Sequence, residues 1–317
     1  MAHSWMAWPG SNGVQANMDW NQWRVSGDHL QWRDQRVFYR MGGRGPALLL
    51  IHGFPTSSWD WQPLWRDLAR DHQLIAPDLL GFGASSKPYP HRYSIFEQAD
   101  LCADLITRLR IDRAQVLAHD YGDTVAQELL ARQQAGDLPF QIERMVFLNG
   151  GLFPECHRPL LLQKLLLSPL GPLLRHLIGR SALRRSMRRI FAKTSPPSEA
   201  DIDAFWAQIS EHEGQRCLPS LLGYIPERAA HRQRWVGAMQ ASICPLGFIN
   251  GSNDPISGAH MLARWRELLP QHGAIALDGV GHYPQIEAPA QVLDAYRCLL
   301  RGDSMLSPPP SDGVKGR

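Results

Sequence analysis

Apolar positions recur along this chain in two different periods, and the change from one to the other maps a fold. Short apolar runs at Arg36–Met41, Ala47–Ile51, Leu74–Ala76, Gln115–Ala118, Arg144–Leu148, Ile243–Ile249 and Ala274–Leu277 predict strands. Between them, apolar residues spaced three and four apart predict helices over Ser58–Ala69, Ser94–Leu109, after Asp120, and from about Ala259 and Ala290. Ser94 and Glu97 stand at capping-box spacing, which marks the start of the second of these. Strands alternating with helices predict an α/β architecture, a mostly parallel central sheet covered by helices on both faces. The alternation stops between Leu152 and Val236, where helical stretches are punctuated by Pro159, Pro169, Pro172, Pro196, Pro197 and Pro219. Residues 152–237 are therefore expected to form an all-helical cap inserted between two strands of a core made of 19–151 and 238–302. Residues 1–18, and a tail from 303 that carries Pro308-Pro309-Pro310, are expected to be disordered.

Composition narrows this picture only slightly. The 317 residues are 44% hydrophobic and 20% charged, values suited to one large globular domain with an insertion. A net charge of +3 is too small to argue for nucleic acid. No apolar run approaches the ~20 residues that span a bilayer. The N-terminus lacks the charged start and apolar core of a signal peptide. Five scattered cysteines (Cys102, Cys156, Cys217, Cys244, Cys298) without a C-x-x-C pair point to free thiols and a cytoplasmic location. No phosphate-binding loop or metal-ligand cluster stands out, so no cofactor is expected.

The chemistry concentrates at Leu117-Ala118-His119-Asp120-Tyr121-Gly122. An apolar strand enters this turn, a helix leaves it, and the small residues Ala118 and Gly122 flank Asp120 two positions away on either side. That is the layout of a nucleophile elbow, which exposes one side chain above a parallel sheet. A serine there would attack acyl carbons. An aspartate attacking an acyl carbon would give an anhydride, whereas at a saturated carbon it gives an ordinary ester that water can open. Asp254 follows the Ile243–Ile249 run, and His282 follows the last strand in Gly281-His282-Tyr283-Pro284. The carboxyl ends of parallel strands lie on one side of a sheet, so Asp120, Asp254 and His282 can converge as nucleophile, orienting acid and base.

His52-Gly53-Phe54-Pro55, Asp78-Leu79-Leu80-Gly81-Phe82-Gly83, the Asp120 elbow, Asp254 and His282 resemble the motif set of α/β hydrolases with an aspartate nucleophile. Epoxide hydrolases and haloalkane dehalogenases belong to that group. Longer strings, among them HGFPTSSWDW, HDYGDTVAQELL and RWVGAM, are similar to the mesoderm-specific transcript proteins of animals over roughly residues 30 to 300. The resemblance implies the α/β-hydrolase fold and no cofactor. It implies an alkyl-enzyme ester on Asp120, opened by water that His282 activates while Asp254 orients it. It also implies an oxyanion hole from the backbone N–H groups of Phe54 and Tyr121.

The resemblance identifies the leaving group less well. Relatives that open epoxides carry two cap tyrosines, and the cap here has Tyr224 alone. Many dehalogenases place a tryptophan after the nucleophile and an asparagine after the first His-Gly, where this chain has Tyr121 and Phe54. Epoxide hydrolysis of a small hydrophobic substrate is the leading expectation and dehalogenation the alternative; no arginine follows Asp120 to bind a substrate carboxylate. A non-catalytic binding protein on the same fold is the reading of another class, and hydrolysis of acyl substrates a third that the aspartate makes awkward. Trp206 and Trp235 are candidates for the pocket wall, with plain packing as the alternative. His52 and His119 are expected to hold loops, and Asp123 to complement the helix dipole. The basic run Arg175, Arg180, Arg184, Arg185, Arg188, Arg189 and Lys193 reads as a solvated face more readily than as a membrane-surface contact.

Overall fold

The structure is a computed structural model that describes residues 18–168 and 178–302. The expected disordered ends, apart from Met18, and Arg175 of the basic run lie outside the described residues. Eight strands form one sheet: β1 (Asp28–Trp32), β2 (Gln35–Gly42), β3 (Ala47–Ile51), β4 (Gln73–Pro77), β5 (Arg113–Ala118), β6 (Gln141–Phe147), β7 (Leu246–Gly251) and β8 (Gly273–Leu277). Their order is β1-β2-β4-β3-β5-β6-β7-β8. The β1–β2 and β2–β4 pairs are antiparallel and every other pair is parallel.

Helices cover both faces, and the strand pleat decides which residues each face receives. Leu49, Ile51, Val116, Ala118, Phe147 and Phe248 join one buried cluster, while Leu48, Leu50, Leu117, Val146 and Ile249 join the other. This alternation is the two-residue period of a strand buried on both sides, which is why β3 and β7 are apolar almost throughout. On one face lie α1 (Trp20–Val25), α2 (Gln62–Leu68), reached through a 3-10 turn at Ser58–Trp61, and a long C-terminal helix. The other face carries α3 (Ile95–Arg108) and α4 (Tyr121–Ala135).

Between β6 and β7 the described residues form helices and no strand: α5 (Leu161–Leu166), α6 (Arg180–Ile190), α7 (Glu199–Ser210), α8 (Leu218–Leu221), α9 (Tyr224–Ala230) and α10 (Arg232–Gln240). After β7 come α11 (Ala259–Leu268), α12 (Pro284–Glu287) and α13 (Pro289–Arg301). The insertion is tied to the core at a buried carboxylate. Glu128 of α4 accepts hydrogen bonds from Arg234 at 2.7 and 2.9 Å and from the Trp235 indole at 2.8 Å. In the basic run, Arg180, Arg184 and Arg188 of α6 share Glu199 of α7 at 2.9, 2.6 and 3.2 Å, so much of that face is paired with the neighbouring helix.

Three local expectations need correction. The strand expected from Ile243 begins at Leu246, and Ile243 is 97% exposed. Pro245 has no N–H for a ladder and delays the strand by a turn. The capping box at Ser94 is half made: Ser94 Oγ accepts from the Glu97 N–H at 3.2 Å, but the Glu97 carboxylate pairs with His91 at 2.8 Å. The sheet also gains β1 and the preceding α1, which the hydrophobic pattern did not predict.

Candidate active site

The end of β5 determines where the site lies. Asp120 has φ 48° and ψ −101°, a left-handed conformation that costs a non-glycine residue free energy and turns its side chain out of the strand–helix path. The turn fits because Gly122 has no Cβ, which would run into the Ile51 carbonyl. The Asp120 N–H donates to the Asn149 carbonyl at 3.1 Å, securing the elbow to the end of β6.

Asp254 follows β7 and is fully buried among donors. Its carboxylate accepts from the Ile256 N–H at 2.7 Å, Ser257 Oγ at 2.6 Å, Asn149 Nδ2 at 3.0 Å and the His282 ring at 2.7 Å. Burial alone would raise its pKa, but the His282 charge and these hydrogen bonds outweigh burial and lower it to about 2. The acceptor at His282 Nδ1 fixes the tautomer, leaving Nε2 facing Asp120 Oδ1 at 4.0 Å. Burial pushes His282 down, yet the Asp254 charge and hydrogen bond, with Asp120 behind them, raise it to about 9.

The two oxygens of Asp120 have different surroundings. Oδ2 accepts the Phe54 N–H at 3.1 Å, whereas Oδ1 lies between His282 Nε2 and the guanidinium of Arg228, 3.9 Å away. The structure thus brings Asp120, Asp254, His282 and Phe54 together, and Tyr121 opens α4 beside them. A largely apolar cavity of about 80 Å³ opens onto Asp120 and His282, with Phe54, Leu183, Met187 and Trp206 in its wall. Trp206 therefore takes the pocket alternative. Trp235 takes the packing one, buried with its indole on Glu128. Tyr224 stands behind the cavity wall, its ring 4.9 Å from Tyr121 and 6.2 Å from Phe54, and its hydroxyl is pushed up by burial and then by the Asp120 charge.

The loop histidines have clear partners. His52 Nδ1 donates to the Gly53 carbonyl at 2.9 Å and Nε2 accepts the Leu79 N–H at 3.0 Å. His119 Nε2 donates to the carbonyl of His282 at 2.8 Å, so it holds the His282 loop from behind. Burial lowers both to about 4, so both are neutral at physiological pH.

Two residues of the site, Asn149 and Arg228, carry no mark in the sequence pattern, and a third, Asp123, has surroundings that the pattern does not show. Asn149 bridges β6, β7 and Asp254, donating to the Gly251 carbonyl and accepting the Gly251 N–H. Asp123 stands in the first turn of α4 as expected, but it is fully buried with no hydrogen bond to either carboxyl oxygen. Burial first, and then the Asp120 charge, holds it protonated well above the usual carboxylate range. Arg228 of α9 is 1% exposed and donates to the Asp120 carbonyl at 2.8 Å and to Thr124 Oγ1 at 2.6 Å. Its position four residues after Tyr224, on the same helix face, was the available signal.

Comparison with known proteins agrees with this fold. The chain is 42% identical over 288 residues to the mesoderm-specific transcript protein of Mus musculus, covering 87% of this chain and 86% of that protein. Among solved structures it superimposes on the haloalkane dehalogenase DbeA of Bradyrhizobium elkani with a TM-score of 0.72 at 25% identity, covering 87% and 98% of the two chains. The epoxide hydrolase CorEH matches with a TM-score of 0.69 at 22% identity and coverage of 87% and 98%, a likeness of fold. The sequence pattern of the alpha/beta hydrolase family matches residues 48–295. On the strength of that match, this chain belongs to the alpha/beta hydrolase family.

Proposed function

We propose that the protein is a cofactor-independent hydrolase that works through a covalent ester on Asp120, with an epoxide as its leading substrate class and the helical insertion acting as a cap. The observation that carries this reading is an aspartate at the elbow that lines the cavity, with Oδ1 facing a base and Oδ2 resting on a backbone N–H. Oδ1 attacks the saturated carbon and the bond to the leaving group breaks, its electron pair departing with that group. Water then attacks Asp120 Cγ and gives a proton to His282 Nε2. The Phe54 N–H, joined by that of Tyr121, receives the charge that develops on Oδ2. Asp254 keeps the ring oriented and stabilises the imidazolium.

Tyr224 favours the epoxide as the one tyrosine of the helical insertion among the described residues, packed on Phe54 and Tyr121 beside Asp120, since an opening ring oxygen needs a proton that its hydroxyl would supply once turned into the cavity. The indole of Trp206 in the cavity wall favours dehalogenation as the second reading. Trapping separates them. In His282→Gln the ester forms but water is not activated, so intact mass should show the adduct accumulating. With styrene oxide the gain equals the full substrate mass; with 1-bromobutane it falls short by hydrogen bromide. If neither these probes nor a wider panel leaves an adduct on Asp120, the covalent reading fails and a binding role on the same fold takes its place.

A further inference from the structure

The feature this mechanism leaves unused is the cation behind the nucleophile. Arg228 is buried, its Nη1 has no hydrogen-bond partner, and Asp120 is the sole carboxylate within ion-pair distance of it among the described residues. Its Cζ lies 4.4 Å from the centre of the Tyr224 ring, which fixes the guanidinium plane. A guanidinium buried with its carboxylate partner no nearer than 3.9 Å is costly to keep. We propose that Arg228 drives the second half of the reaction by stabilising negative charge on Asp120 Oδ1 as the ester is opened.

On the covalent reading above, the two oxygens of Asp120 have different fates. Because Oδ2 is held by the Phe54 N–H, Oδ1 is the attacking atom and becomes the bridging oxygen of the ester. Water adds to Cγ, its proton goes to His282, and the carbonyl electron pair moves to Oδ2. When that pair returns, the Cγ–Oδ1 bond breaks. Oδ1 leaves with the product, taking the bonding pair and then the proton from His282, and the oxygen of water, whose remaining proton passes to the freed His282 Nε2, completes the new carboxylate. Negative charge therefore develops on Oδ1, the atom 3.9 Å from Arg228, and then on the regenerated carboxylate. In the first half the sign is reversed: charge drains from Asp120 toward the leaving group, so a fixed cation holds the reactant back. Arg228 slows alkylation and speeds hydrolysis, which keeps the enzyme from resting as its own ester.

The test is single-turnover kinetics read by intact mass, with His282 in place and the two probes above. Arg228→Met should hydrolyse its ester ~100-fold more slowly, the scale of losing one charge-stabilising group at a developing oxyanion, and should accumulate alkyl-enzyme. Its alkylation should be no slower than in the unmodified enzyme. Arg228→Lys should hydrolyse within about tenfold of the unmodified enzyme. A purely structural role would instead misplace Asp120 and slow alkylation without accumulation; that result, or a lysine variant as slow as the methionine one, overturns the proposal. If melting shows that Arg228→Met does not fold, Arg228→Gln and Arg228→Lys make the same comparison. The His282→Gln control separates the two claims. Without an adduct there, the covalent reading falls and this one with it; an adduct there with none in the Arg228 variants overturns the role of Arg228 alone.

Discussion

The two sides of Asp120 are built on different principles. On the side of the strand ends, Asn149, Asp254, Ser257 and His282 are joined by hydrogen bonds of 2.6 to 3.0 Å. On the side facing the helical insertion, the carboxyl of Asp123 at the start of α4, His157 Nε2 in the cavity wall and Arg228 Nη1 are buried without hydrogen bonds. On the strand-end side such atoms, His119 Nδ1 and Asn250 Oδ1, lie outside the Asp254–His282 network. Satisfied buried networks are rigid, whereas unpaired polar atoms in low dielectric cost stability and are kept where they act on charge. The first side fixes one histidine tautomer in place. On the proposed mechanism the second sets the electrostatic field in which Asp120 loses and regains its charge.

The largest test of this contrast is on the rigid side. Asp254→Asn keeps the shape but removes the acceptor that selects the Nδ1–H tautomer, so turnover should fall by ~10⁴. Single-turnover traces should show the loss concentrated in ester hydrolysis, because alkylation does not need the base. An equal loss in both halves would mean that Asp254 positions Asp120 as well.

A medium effect concerns the coupling between the two sides. His282 is held at about 9 partly by the Asp120 charge, so it is mostly protonated in the free enzyme at neutral pH. Esterification removes that charge and must lower its pKa, freeing Nε2 to accept the proton of water. The free-enzyme titration followed by ring NMR should therefore centre near 9, with the rise of ester hydrolysis with pH centred lower. Coincident midpoints would mean that Asp120 does not feel the base. The same shift bears on stability: a raised histidine stabilises the fold fully below its unfolded pKa near 6.5, and that contribution is lost as pH rises through about 9.

The smallest effect belongs to Asp123. Its carboxyl is held neutral without a partner, so Asp123→Asn should change thermal stability by no more than about 1 kcal/mol, in either direction. A loss of several kcal/mol in a melting experiment would reveal a hydrogen bond to the acid proton that asparagine cannot replace.

Legibility in the sequence followed burial and periodicity. Strands covered on both faces, such as Ala47–Ile51, are continuous apolar runs and were read to the residue. Edge strand β1 is mostly exposed, and its turn at Arg33-Asp34 lacks the glycine or asparagine that usually marks a hairpin, with Arg33 at φ 53°. Nothing in its pattern distinguishes it from a loop. Within the site, Asp120, Asp254 and His282 stand at strand ends in an order the topology explains. Asn149 and Arg228 act through contacts between segments 102 and 108 residues apart, which no local period encodes. Trp235, from the same chain segment as Arg228, packs away from the cavity for the equivalent reason: Glu128, not the substrate, is its partner.

On the proposed mechanism Asp120 itself is the nucleophile and its Oδ1 leaves with the product. The direct measurement is a single turnover of styrene oxide by excess enzyme in ¹⁸O-water, with both product and peptide analysed by mass. The account predicts an unlabelled first-turnover product and one ¹⁸O atom in the peptide containing Asp120. A labelled product with an unlabelled Asp120 would show that water attacks the substrate directly and would contradict it.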